Sequence, residues 1–169
     1  GCRIANDSLV QAFELEDHGI EVFNHGSGET LQAALVSAAE NEEPYFGYYW
    51  GPTAPLGQYD MVSVDMGPVN QEAYECNQDT ECNEVGKTGW PAAPVFNVVT
   101  TDLAESEPEA FELMQNMTFE NDTMNGLLVW HANNDATVDE AVVQFLQNNT
   151  DVWMDWLSDD ARANVQDMF

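Results

Sequence analysis

Apolar and polar positions repeat with different periods along the chain, and the period assigns the elements. Leu9, Val10, Phe13 and Leu15 follow Asn6 and Asp7, either of which can cap a short helix, and His18-Gly19 stops it. Glu21 to Asn24 reads as a short strand. Ser27 then caps a helix through about Asn41, with Leu31, Ala34, Leu35 and Ala38 at helical spacing. The uncharged aromatic run Tyr45-Phe46-Gly47-Tyr48-Tyr49-Trp50 reads as a buried strand, and the turn pair Gly51-Pro52 closes it. Strand, helix and strand in succession make a β-α-β unit, which implies parallel pairing and a right-handed crossover. Met61 to Met66 alternates as a further strand, and Pro94 to Thr100 as another.

Everything after Thr100 reads as helices. Ser106 caps one, with Pro108 near its first turn and Glu109 three residues on. A second runs from about Glu120 to Trp130. Thr137 and Glu140 form a capping box for a third, whose Val138, Ala141, Val142, Phe145 and Leu146 make an apolar face. Val152, Trp153, Trp156 and Leu157 continue the pattern, so Trp130, Trp153 and Trp156 are assigned to the core. The expected fold class is α/β.

Between Gly67 and Gly89 the pattern lapses into Pro, Asn, Gln, Glu and Gly, which predicts a long loop. Cys76 and Cys82 lie in it with five residues between them, wrong for Cys-x-x-Cys chemistry but suited to a local disulfide. A disulfide favours an oxidising compartment. Asn77, Asp79, Glu81 and Glu84 alternate oxygen ligands as calcium loops do, but the Asp-x-Asp-x-Asp-Gly order and the terminal Glu at its proper spacing are missing. Calcium is therefore the secondary expectation, behind a solvated acidic loop, and no other cofactor is indicated.

Trp50 stands where a strand ends and a loop begins, the position that faces ligands in open α/β sheets. The strand Tyr48-Tyr49-Trp50, the pair Gly1-Cys2, the helix from Gly28 to Glu40, Gly89-Trp90-Pro91, the strand Val95 to Thr100 and the helix opened by Glu107-Pro108-Glu109-Ala110 fall in one order. Together they resemble the glycine betaine/proline betaine substrate-binding proteins of bacterial ABC importers. The resemblance runs through most of the chain and implies a two-lobe, type II periplasmic-binding-protein-like fold with a parallel or mixed sheet and flanking helices, here incomplete. Residues 1–93 would form part of a ligand-binding α/β lobe, and residues 94–169 the return hinge strand and C-terminal helices of the other.

In that family tryptophans cage a quaternary ammonium group, and Trp50 matches the one that ends this strand. Backbone N–H groups of a Gly-Cys pair hold the ligand carboxylate, and Gly1 and Cys2 match that pair, although the tryptophan that precedes it in the family is absent. Tyr49 and Trp90 are additional pocket candidates. The resemblance also implies a cysteine upstream as partner for Cys2. With neither an initiator Met nor a signal peptide, the chain is expected to begin in mid-protein, with half of the cage on sequence before Gly1. A lipoprotein cleavage site is the lesser reading of Gly1-Cys2.

The charge sharpens the choice of partners. Three basic residues, Arg3, Lys87 and Arg162, stand against 31 acidic ones, a formal charge of -28. Such a surface repels phosphate backbones and anionic lipid heads, so neither nucleic acid nor membrane surface is an expected partner. A zwitterionic or cationic small molecule is not repelled, and much of the acidity suits saline surroundings. With 44% apolar residues the chain can build a core, yet no apolar run approaches a membrane span.

Enzymatic readings fail on spacing. In Asn24-His25-Gly26-Ser27-Gly28 a nucleophile elbow would need Gly where His25 stands. His18, His25 and His131 have no metal-ligand spacing. The sequence thus predicts a non-enzymatic, extracytoplasmic (periplasmic) bacterial solute-binding protein. By resemblance it would take glycine betaine, proline betaine, choline or trimethylamine N-oxide and deliver it to the permease of an ABC importer. The alternative is an acidic extracellular calcium-loop or interaction module in which Trp50 is structural.

Overall fold

The computed structural model describes residues 2–165, and its regular structure is helical. The helices are α1 (Cys2–Ala12), α2 (Gly28–Glu40), α3 (Ala54–Gln58), α4 (Gln71–Gln78), α5 (Leu103–Ser106), α6 (Pro108–Asn116), α7 (Asn121–Asn133), α8 (Val138–Asn148), α9 (Thr150–Trp153) and α10 (Asp159–Val165). Short 3-10 turns cover Glu16–His18 and Met154–Trp156. No helix among the described residues is long and apolar enough to cross a membrane.

The expected α/β fold with its parallel or mixed sheet is not what forms: among the described residues there is no β-strand. The segments assigned to strands from sequence, 21–24, 45–50, 61–66 and 95–100, are non-helical as expected, but none pairs with another. A helix closes its hydrogen bonds within one segment, whereas a strand exists only through a neighbour. Residue type can favour extended backbone without supplying that neighbour. The exposed large apolar side chains concentrate on these segments: Phe23 is 75% exposed, Val62 91%, Val95 94% and Val98 89%. These are side chains that a sheet would bury.

The chain divides into two compact units. The first gathers the residues up to Tyr49 together with Met61–Pro94. Here α1 packs against α4, and α1 buries Ala5 and Leu9. Because α1 already begins at Cys2, Asn6 and Asp7 lie inside it rather than capping it, and Asp7 instead pairs with Arg3 one turn earlier, at 3.5 Å. Ser27 does cap α2: its side chain accepts from the Thr30 amide and Thr30 reciprocates. The stretch from Gly67 to Gly89, expected to be structureless, contains α4, capped by Asn70. Lys87 lies over the Phe13 ring, 5.3 Å from its centroid, which fastens this stretch to the end of α1.

The second unit comprises Trp50–Asp60 and the residues from Val95 onward. Its core is Phe145, Trp153 and Trp156, surrounded by Leu113, Met117, Leu127, Leu146 and Leu157. The Phe145 and Trp156 rings stack at 5.8 Å, and Phe119 meets Trp156 edge-on at 4.9 Å. The Trp153 indole N–H donates to the Leu146 carbonyl at 2.7 Å, which satisfies the polar edge of a buried ring. The Thr137 and Glu140 box caps α8 in both directions.

Candidate functional site

In the first unit three aromatic residues from separate stretches meet. Tyr48 comes from the non-helical aromatic run, Tyr74 from α4, and Trp90 from the segment that follows Gly89. The Tyr48 and Trp90 centroids are 4.8 Å apart with planes tilted by 40°, and Tyr74 meets Trp90 edge-on at 5.9 Å. All three side chains are half-buried. Cys2 Sγ lies 3.4 Å from the Tyr48 hydroxyl, so the start of α1 also reaches the cluster. Burial, and then the contact with Cys2, pushes the Tyr48 phenol up to about 12.

The backbone before Trp90 and on either side of Tyr74 is held by buried polar groups. The Thr88 hydroxyl accepts from the Asn70 amide at 2.9 Å and donates to the Gly89 carbonyl at 2.9 Å. The Asn77 carboxamide bonds both main-chain groups of Gly86, donating at 2.9 Å and accepting at 3.1 Å. A disulfide joins Cys76 to Cys82, with a Cα–Cα distance of 5.4 Å. Of the four residues considered as calcium ligands, Asn77 is fully buried and committed to Gly86, and Asp79 accepts from the Glu81 amide at 2.9 Å. No group of three His, Cys, Asp or Glu side chains suited to a metal ion occurs among the described residues, so Asp79, Glu81 and Glu84 are not gathered into such a set.

Trp50 belongs to the second unit and is 45% exposed. The segment after it is clamped to α7. The Thr53 amide donates to Asn125 Oδ1 at 2.7 Å, and Asn125 is buried. At Gly57 a Cβ would lie 2.8 Å from the Asn125 carbonyl oxygen, so only glycine lets α3 approach α7 this closely. Trp50 is thus exposed next to a rigidly held turn, whereas Cys2, Tyr49 and Trp90 belong to the first unit. Gly1 lies outside the described residues. Tyr49 is half-buried beside Tyr48.

Two open clefts occur away from these aromatics. One of about 420 Å³ in the second unit is lined by Asn116, Glu120, Asp151, Asp155 and Trp156 among others. One of about 400 Å³ in the first unit is lined by Asp7, Glu14, Glu16 and Asp17. Neither is lined by a residue named from the sequence as a ligand, metal or disulfide candidate.

Sequence reasoning named Trp90 but missed Tyr48 and Tyr74 as its ring partners. Tyr48 could have been found as the first member of the Tyr-Tyr-Trp run. Tyr74 gave no signal beyond being the one aromatic in a polar stretch.

Clustered π faces can hold an organic cation by cation–π attraction and apolar contact. No curated protein matches the chain. A family model does: residues 1–148 match OpuAC, the substrate binding domain of ABC-type glycine betaine transport system. Domains of this family are non-enzymatic, extracytoplasmic parts of a transporter, working with its membrane permease. With most of its length matched, the chain belongs to the family of substrate-binding domains of ABC-type glycine betaine transport systems.

Proposed function

We propose that the chain captures glycine betaine or a related methylated amine, such as proline betaine, choline or trimethylamine N-oxide, in the periplasm of a bacterium for delivery to its permease. The observation that carries this reading is the contact of Trp90 with Tyr48 and Tyr74 in a chain of this family. A trimethylammonium head is permanently charged, bulky and unable to donate a strong hydrogen bond. Carboxylates alone attract it without selecting its shape. Aromatic faces offer a negative quadrupole together with apolar surface, each contact contributing about 0.5–2 kcal/mol according to desolvation. By the same family reading, Trp50 is proposed as a ligand-binding residue and the main chain at Gly1 and Cys2 as the holder of the ligand carboxylate.

The test is tryptophan fluorescence titration with glycine betaine, choline and trimethylamine N-oxide, with calcium as the control, on the wild type and Trp50→Ala. The expected result is a saturable response to at least one methylated amine, weakened at least about tenfold in the variant. A response to calcium alone, or a variant that binds as the wild type does, contradicts the proposal.

A further inference from the structure

We propose that Thr88 and Asn77 are positioning residues that set the register of Trp90 against Tyr74, and through it the affinity for ligand; the affinity half of this rests on the methylated-amine reading above. Tyr74 sits on α4, so the distance between the two rings depends on how the returning segment 86–90 is fastened along that helix.

The fastening is made at both ends of α4. At its start, Asn70 caps the helix by accepting from the Ala73 amide at 3.1 Å, and its own amide donates to the Thr88 hydroxyl. The same hydroxyl donates to the Gly89 carbonyl, and the Gly89 amide donates to the Pro68 carbonyl at 3.3 Å. A Cβ at Gly89 would fall 2.4 Å from the Gly67 carbonyl oxygen, so the two main chains touch immediately before Trp90. At the other end, Asn77 in the last turn of α4 bonds the Gly86 amide and carbonyl together. A Cβ at Gly86 would meet the Ala73 Cβ at 2.9 Å, so this approach is close as well.

Thr88 is 2% exposed and Asn77 fully buried. A slip of the segment by one residue would strand these groups away from water without partners, a larger penalty than the gain from pairing them. An apolar pair of the same volume could stabilise the contact but would accept several registers. The buried polar groups accept one. Trp90 is thereby held at one position against the Tyr74 ring, and Tyr48 packs on the ring so placed.

The test uses Thr88→Val, which keeps the shape and removes the hydroxyl, Thr88→Ser, which restores it, and Asn77→Asp, which keeps the acceptor and loses the donor. The readouts are the near-UV circular dichroism that Trp90 contributes, defined as the difference between the wild type and Trp90→Phe, and the dissociation constant for glycine betaine. In folded Thr88→Val the Trp90 contribution should be lost and affinity should fall roughly tenfold, with Thr88→Ser close to the wild type on both. If Thr88→Val does not fold, Asn77→Asp decides by the same two readouts. A folded Thr88→Val or Asn77→Asp that keeps both the Trp90 signal and the wild-type affinity overturns the positioning role. Loss of the Trp90 signal in a protein whose wild type shows no betaine binding supports the positioning role while contradicting the ligand reading.

Discussion

Tyr48 and Trp90 lie 42 residues apart in the sequence, yet their ring centroids are 4.8 Å apart. The phenol at the far end of the Tyr48 ring reaches Cys2. One side chain therefore ties the start of α1 to the aromatic cluster.

Tyr48 should ionise above the ordinary range of a tyrosine. Its phenol is pushed up to about 12, first by burial and then by the Cys2 thiol. Because the folded value lies above the unfolded one of 10.0, the contribution to stability is complete below pH 10 and is lost as pH rises toward 12. Absorbance titration of tyrosinate in the wild type and Tyr48→Phe should show one late-titrating group missing from the variant. Cys2→Ala should shift that group only part of the way down, because burial, the larger cause, remains.

Alkylation without reductant should label one thiol, Cys2, which is free and exposed, and leave Cys76 and Cys82 unmodified. Peptide mass analysis gives the answer. Modification of Cys76 or Cys82 would mean that the turn after α4 is not bridged.

A cap is written within four residues and two were legible, but Ser106, expected to cap a helix, is instead the last residue of α5, and α6 follows Glu107 with no side-chain cap bond. Ser27 before α2 and the Thr137–Glu140 box before α8 stand where the sequence places them. Helix α4 was hidden because it buries only Ala73 and Asn77, leaving too narrow an apolar stripe to read among polar residues. That Met61 to Met66 and Val95 to Thr100 are not helical was legible, but the strands expected there do not form, since a sheet depends on partners far away in sequence. In the site, Trp90 was legible through its Gly-Trp-Pro context. Its fastening by Thr88 and Asn77 was not, because these residues look like ordinary loop polars until Gly89 is seen to approach the Gly67 main chain and Gly86 the Ala73 side chain.

Thr137→Ala should destabilise the second unit by about 1 kcal/mol through loss of the α8 N-cap. Urea unfolding followed through the tryptophans of the core should show the lower midpoint. The Glu140 carboxyl is held below its ordinary value by the Thr137 amide and then by its hydroxyl. Its contribution is present above pH 4.5 and fades as pH falls through the lowered folded value. Below that range the wild type and Thr137→Ala should differ less.

The amides of Met61 to Met66 and Val95 to Val99 donate no main-chain hydrogen bond among the described residues. They should exchange with deuterium in the earliest time points, while those around Phe145 in α8, next to the aromatic core, persist. Slow exchange at Val62 or Val98 would show that these segments find strand partners in solution.

The central claim, that clustered aromatic side chains of this chain hold a methylated amine, is tested most directly by calorimetric titration of glycine betaine into the wild type and Trp90→Ala. The account predicts saturable binding to the wild type and affinity at least about tenfold weaker in the variant, the consequence of removing the ring that Tyr48 and Tyr74 flank. No binding by the wild type, or the same dissociation constant in a folded Trp90→Ala, would contradict it.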